Sequence, residues 1–320
     1  MREKVRRRVT FGRVKLVEFD QSKLLPQERF YANGFELIEL GGRGKTVTDR
    51  MVEVLRQLWD GREKGVVHKG FSWEQKMPNV FHLRPNVHEY DSVFLQFLWY
   101  NHIDQVLANF TGRKMHLCHA QVVVQTPGPP HQDWHRDSYQ YGLDPIVGAF
   151  PAAVKVNFYP RFDKPEPRLR FVRGSHRCQA NDGRFDAMLI GKYENEILES
   201  SNDRALIFES SMLHAVVPDV EPKGSIRVMY SFAMEHEYKK RFADKEHHRR
   251  LHDQYEAYIE REANTKFEKL EAKVRRELNK GYPGNPFAND LECELKWDGE
   301  QRALENILDD IEWMKKEERE

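Results

Sequence analysis

The sequence predicts a mainly β core with flanking helices, an α+β arrangement, and three features of the chain predict it. Short segments rich in β-branched and aromatic residues recur through its middle. Apolar residues at helical spacing precede them, and a charge-dense stretch of the same helical period follows.

In chain order, Thr48–Trp59 and Asp91–Phe110 carry the helical apolar period, so each is expected to lay one face on a core. His119–Gln125, Ala153–Tyr159, Arg168–Val172, Ala205–Phe208 and Ser225–Phe232 come next, most of them bounded by Pro, Gly or Asp. Segments of that length and composition read as the strands of a sandwich or barrel. From about Tyr238 to Lys280 the chain is dense in Lys, Arg and Glu, and Pro is absent between Pro222 and Pro283. Leu251, Tyr255, Tyr258, Leu270, Val274 and Leu278 recur there as one stripe of a long amphipathic helix or pair of helices. Gly281–Pro286 breaks that pattern, and a second charged helix is expected over Gly299–Lys316. Acids and bases alternate in this tail. It therefore reads as a solvated helical appendage packed on the main domain, or a self-association element, and not as a nucleic-acid arm.

Composition narrows the class. The 320 residues suit one large domain or two modest ones at about 150 residues each. Lys+Arg and Asp+Glu are both 51, so the basic excess that nucleic-acid binding draws on is missing. No apolar stretch approaches the ~20 residues of a membrane helix. The basic segment Met1–Arg8 lacks an apolar region after it, so no secretory signal is visible. Cys118, Cys178 and Cys293 lie far apart with no CxxC pair, which favours a reducing compartment and a soluble cytoplasmic protein.

The most informative segment is Pro130-His-Gln-Asp-Trp-His-Arg-Asp137. Residues i and i+2 of a strand face the same way, so a His-x-Asp pair aims imidazole and carboxylate at one point. Two such pairs overlap here, His131/Asp133 and His135/Asp137. A later imidazole would complete a 2-His-1-carboxylate facial triad, which holds Fe(II) and leaves the opposite positions open. His214, at the end of an apolar strand and before a turn, is the best late candidate. Arg227 follows in an apolar strand, where a guanidinium is costly without an anion. A dicarboxylate would supply that anion through a bidentate pair.

At these residues the chain resembles the phytanoyl-CoA dioxygenase-like branch of the Fe(II)/2-oxoglutarate oxygenases. The matching stretches are Trp134-His-Arg-Asp137, Leu169-Arg-Phe-Val-Arg-Gly-Ser-His176, Leu206–His214 and Arg227 with the strand after it, in the family's order from Lys114 to Met234. The resemblance implies a double-stranded β-helix, or jelly-roll, core over 114–236. Residues 1–113 are then N-terminal strands and helices packing on it, and 237–320 a charged helical extension. It implies Fe(II) on His135, Asp137 and His214, with the preceding Trp selecting the second His-x-Asp pair and assigning His131/Asp133 to a loop. It also implies that Arg227 grips the far carboxylate of 2-oxoglutarate. O2 would be consumed, succinate and CO2 released, and an unactivated C–H bond of a small-molecule metabolite oxidised. With Asp137 in place hydroxylation is the default outcome, and desaturation or oxidative cyclisation use the same triad.

The sequence departs from the family pattern twice. Arg173 replaces the Pro before Gly-Ser-His, and Met229 stands where some relatives place a Ser on the cosubstrate carboxylate. Ser225 or Tyr159 could substitute for that Ser. Gln121 and Gln125 share one strand face and could hold 2-oxoglutarate or merely satisfy buried backbone groups. Lys155, Asn157 and Tyr159 form one face opposite Val154, Val156 and Phe158, which makes Asn157 a further cosubstrate candidate. Lys155, Arg136 and Arg173, placed near the expected mouth, point to an anionic substrate such as an amino-acid-derived metabolite. His176 reads as structural, and His247, His248 and His252 as a solvated helix surface. The competing readings are a cupin-like metal enzyme that does not use 2-oxoglutarate and a catalytically silent jelly roll.

Overall fold

Two antiparallel sheets carry the strand-forming segments of the middle of the chain. The structure, a computed structural model, describes residues 24–41, 44–65, 70–84, 87–126, 134–140, 152–161, 167–177, 183–192, 195–199, 201–216 and 225–279. The elements run α1 (Pro26–Asn33), β1 (Phe35–Glu39), α2 (Gly44–Glu63), β2 (Ser72–Met77), β3 (Val80–Arg84), α3 (Val87–Tyr90), α4 (Val93–Tyr100) and α5 (Ile103–Thr111). They continue with β4 (Met115–Gln125), α6 (Asp137–Gln140), β5 (Ala153–Phe158), β6 (Pro167–Val172), α7 (Gly183–Lys192) and β7 (Asn195–Glu199). The last are β8 (Arg204–Glu209), β9 (His214–Val216), β10 (Ser225–Met234), α8 (Glu235–Arg241) and α9 (Glu246–Asn279). Among the described residues the larger sheet has the order β1-β8-β5-β10-β4-β3-β2 and the smaller β7-β6-β9.

Alternation along the three central strands of the large sheet sorts polar from apolar. Val154, Val156 and Phe158 of β5, and Ile226, Val228, Tyr230 and Phe232 of β10, join Met51, Leu55, Phe94, Phe97 and Leu107 from the helices in the main core. Lys155, Asn157, Arg227 and Ser231 therefore fall on the opposite face, and all four are buried. There the sheet meets its smaller partner: Phe35, Tyr159, Leu206 and Phe208 pack with Leu169 and Phe171 of β6. In β4 the register shifts so that Ser231 opposes His119 while Phe232 opposes Leu117. Cys118 is thus the extra residue of a bulge, which keeps Met115 and Leu117 on the same apolar side as Ala120, Val122 and Val124.

The expected strands are present, and the structure adds elements that the sequence reading did not separate. The N-terminal segment contributes β1 to one edge of the large sheet and the β2–β3 hairpin to the other. The helical stretch 91–110 is two helices, broken at His102, whose φ of 54° lies in the left-handed region. The charged tail begins as α8 and α9, and α9 lies across the outer face with Leu251, Tyr255 and Tyr258 buried. Polar ties fix it: His88 Nε2 to Gln254 Oε1 at 2.6 Å, Tyr255 OH to Asp104 Oδ2 at 2.6 Å and Lys114 Nζ to Glu256 Oε2 at 2.8 Å.

That packing corrects the solvated reading of two histidines. His247 is exposed, but His248 is buried with Nδ1 2.5 Å from the Cys118 carbonyl, and His252 sits 3.4 Å from His116 Nδ1. The face of α9 carrying Leu251 and Tyr255 carries them too, and the sheet covers it. The helix expected over Gly299–Lys316 and the break at Gly281–Pro286 lie outside the described residues.

Candidate metal centre

His135 and His214 are joined by backbone before they are joined by chemistry. His135 N donates to His214 O at 2.9 Å, and His214 N donates to His135 O at 3.0 Å, an isolated antiparallel bridge that continues the small sheet beyond β9. Directly opposed residues project to the same side, so the imidazole rings lie 4.3 Å apart between centroids. Asp137, two residues past His135, opens α6 and turns its carboxylate to the same point. Its Oδ1 is 3.7 Å from His135 Nε2 and its Oδ2 is 3.4 Å from His214 Nε2. One ligand atom from each of the three lies within 4.8 Å of the others, a group that could hold a metal ion.

The protonation states suit ligation. His214 Nδ1 donates to the Met212 carbonyl at 2.9 Å, which leaves the Nε2 lone pair facing the carboxylate. Burial pushes the His214 imidazole down to about 4, so the ring is neutral near pH 7. Burial alone would raise the Asp137 carboxyl; the Lys155 charge, then His214 and His135, outweighs it and holds the group at about 2. Phe171 and Phe208 flank His214 at 5.8 and 5.1 Å between ring centroids and limit its rotation.

The polar face of the large sheet lines the space beside these three. Arg227 is 6 % exposed and forms no ion pair among the described residues; its Nε points at Met229 Sδ, 3.4 Å away, and its guanidinium carbon lies 5.9 Å from the Tyr159 ring centroid. Gln125 is 1 % exposed, and both atoms of its amide lack a hydrogen-bond partner among the described residues. Asn157 Nδ2 donates to Tyr159 OH at 3.3 Å while its Oδ1 has no hydrogen-bond partner among the described residues. Ser225, directly across from Gln125 on β10, is also buried. Gln121 is already engaged, with Nε2 2.8 Å from His82 Nδ1 and Oε1 3.1 Å from His119 Nε2.

Of the three residues expected to meet an anionic substrate, one is turned away from the metal centre. Arg136 is fully buried and bonded to Asp186 and to the carbonyls of Ser175 and Ser211, so it turns away from the metal centre. The period that aims His135 and Asp137 inward sends the residue between them outward. Lys155 Nζ lies 2.6 Å from Asp137 Oδ2, so its charge answers a carboxylate of the chain itself. Arg173 is half-buried, its guanidinium carbon 5.6 Å from the Phe35 ring centroid. His176 Nε2 hydrogen-bonds the Tyr31 carbonyl at 3.1 Å, which fits a structural part. His131 and Asp133 lie outside the described residues. His82 was missed, and so was the hairpin that carries it; Pro78-Asn79 between two short alternating segments was the available turn signal. Burial first, and the Arg227 charge second, push His82 down to about 4.

No protein-family model matches the chain, and no curated protein matches it. Solved structures do. EvdMO1 superposes with a TM-score of 0.50 at 16 % identity over 66 % of this chain, which spans 49 % of EvdMO1. SnoN, a non-haem α-ketoglutarate-dependent epimerase from nogalamycin biosynthesis, gives 0.50 at 9 % identity over 65 % of this chain and 79 % of its own. A second SnoN structure, in complex with Fe3+, α-ketoglutarate and nogalamycin RO, gives 0.48 at 11 % identity over 65 % and 82 %. At these identities what is shared is the fold: an antiparallel sheet core with flanking helices.

Proposed function

We propose that the chain is a non-haem Fe(II)/2-oxoglutarate-dependent oxygenase that oxidises a C–H bond of a small-molecule metabolite, of the phytanoyl-CoA dioxygenase-like kind. On this reading β4 to β10 of the two sheets form a double-stranded β-helix spanning 114–236, with β1, β2 and β3 added at the edges of the larger sheet. The observation that carries it is a His-Asp-His cluster together with a buried guanidinium, Arg227, that has no carboxylate partner among the described residues and lies on the sheet face that carries Lys155, the partner of Asp137. The donor set fits Fe(II): two imidazoles and one carboxylate. SnoN, which shares the fold, is described as α-ketoglutarate-dependent, and that supports the choice of cosubstrate.

Bound iron supplies the redox chemistry that couples conversion of 2-oxoglutarate and O2 to succinate and CO2 with oxidation of the substrate. His135, Asp137 and His214 would hold the ion. Lys155 keeps the Asp137 carboxylate charged and fixed in direction. Arg227 receives the far carboxylate of 2-oxoglutarate in a bidentate pair, with Tyr159 and Ser225 beside it and Met229 in place of a hydroxyl donor. The amide of Gln125 and Oδ1 of Asn157 then gain partners that the described residues do not offer them. Phe171 and Phe208 keep water from the imidazole side. With Asp137 present, hydroxylation is the expected outcome.

Adding 2-oxoglutarate to the anaerobic Fe(II) protein is expected to produce a visible charge-transfer band. A metabolite screen with Fe(II) and ascorbate is expected to find substrates that stimulate succinate release. A protein that binds Fe(II) but develops no band with 2-oxoglutarate, and releases no succinate with any compound, would be a metal enzyme of another kind.

A further inference from the structure

We propose that Arg136 is a positioning residue that fixes the geometry of the metal centre, with Asp186 of α7 as its counter-ion. The inference rests on the reading of His135, Asp137 and His214 as metal ligands.

Arg136 sits between two of those ligands in sequence, and the strand period turns it to the opposite side. Its side chain has no exposed surface there. Nη1 donates to the Ser175 carbonyl at 2.8 Å and to the Ser211 carbonyl, while Nη2 and Nε reach Asp186 Oδ1 at 2.8 and 3.2 Å. Ser211 belongs to the turn that delivers the third ligand. In that turn Leu213 N donates to Ser175 Oγ at 2.9 Å, and the Met212 carbonyl holds His214 Nδ1 at 2.9 Å. The guanidinium therefore ties together the segment bearing His135 and Asp137, the turn before His214, and the Gly174-Ser175-His176 turn. Through Asp186 it also ties in α7. The planar fork with its five donors reaches both carbonyls and the carboxylate at once, which an ammonium cannot do. Outer partners of this kind set the direction of the ligands they support and affect metal affinity about 10–100-fold.

The test is a Co(II) titration of the full chain, read by its d–d absorption bands and by far-UV circular dichroism. Removing Arg136 alone leaves the half-buried Asp186 charge without its guanidinium, so the informative variant is the double change Arg136→Met, Asp186→Leu. It is expected to fold, to bind Co(II) about tenfold or more weakly and to shift the d–d bands. Arg136→Lys keeps the charge and loses the fork, and is expected to move affinity and bands in the same direction. If the double variant misfolds, Arg136→Lys decides. Wild-type bands and wild-type affinity in whichever of the two is folded overturn the proposal, because a merely structural arginine leaves both unchanged. His214→Ala separates this from the underlying reading: if it binds Co(II) as the wild type does, the metal-centre assignment itself falls, and the role of Arg136 with it.

Discussion

A guanidinium at 6 % exposure with a thioether as its hydrogen-bond partner is an expensive arrangement, and Arg227 keeps it on the face of the large sheet that carries Lys155, the partner of Asp137. Its cost in the free protein and its value in the complex can be separated by one substitution. Arg227→Met is expected to leave the melting temperature of the protein without cosubstrate unchanged or raised, because a buried unpaired charge is removed. The same change is expected to weaken 2-oxoglutarate binding by about 1.5–3 kcal/mol, roughly 10–100-fold. An unaltered dissociation constant, measured by titrating the charge-transfer band, would place the diacid elsewhere. Much at this scale was legible: the period-2 rule put His135 with Asp137 and put Lys155, Asn157 and Tyr159 on one face. It says which face a residue takes and not which group it meets there. So it could not show that Lys155 answers Asp137, nor that Arg136 answers Asp186, which lies far along the chain in α7.

Among the elements, the long charged helix is held less by its apolar stripe than its periodicity suggests. Tyr255 and Asp104 meet at 2.6 Å between α9 and α5, and burial pushes the Asp104 carboxyl up to about 6, with the tyrosine hydroxyl pulling it partly back. A folded-state value above the ordinary 3.8 means that the folded state favours the proton. Asp104 thus costs no stability below about pH 4, and its cost grows as pH rises to about 6. Tyr255→Phe removes the donor that eases this charge. Its destabilisation is expected to be about 1–3 kcal/mol at pH 7.5 and clearly smaller at pH 5, in urea unfolding at the two values. Equal losses at both would mean that the hydroxyl does not support the charged form. A second junction is sterically tight. Gly34, with φ +84°, joins α1 to β1, and a Cβ there would lie 2.1 Å from Met212 Sδ and 2.4 Å from His176 Nδ1. Gly34→Ala is expected to cost about 1–3 kcal/mol and to disturb the turn before His214. A melting temperature within a degree of wild type would show that those side chains move aside freely. The helices and central strands were readable because period 3.6 and period 2 are local properties. The bulge at Cys118 and the edge strands were not, because each is decided by a partner distant in sequence.

Across the whole molecule, neutral imidazoles close several seams at once. His82 lies between β3 and β4, His119 and His248 between β4 and α9, and His176 between the Gly-Ser-His turn and α1. Burial, the largest cause in each case, pushes all four down to about 4. Folded values below the ordinary 6.5 mean that the unfolded chain takes up these protons first. The stability they protect is complete above about pH 6.5 and is lost as pH falls towards 4. Two buried carboxyls act in the opposite sense: burial raises Glu209 to about 7 and Asp104 to about 6, so protonation relieves both as pH falls. Four imidazoles against two carboxyls leave a net acid loss, with the carboxyls shifting the stability maximum below neutrality. Urea midpoints are therefore expected to peak between about pH 6 and 7 and to decline steadily to pH 4.5. His119→Gln with His248→Gln, which puts neutral amides at one of these seams, is expected to flatten the acid limb. Glu209→Gln removes a relief that operates between about pH 7 and 4.5, so it is expected to raise the midpoint at pH 7 and above and to steepen the acid limb. Midpoints that hold steady or climb between pH 6 and 4.5 would mean that these rings can be protonated in place, and that the interfaces between sheet and helices open to water more readily than their burial implies.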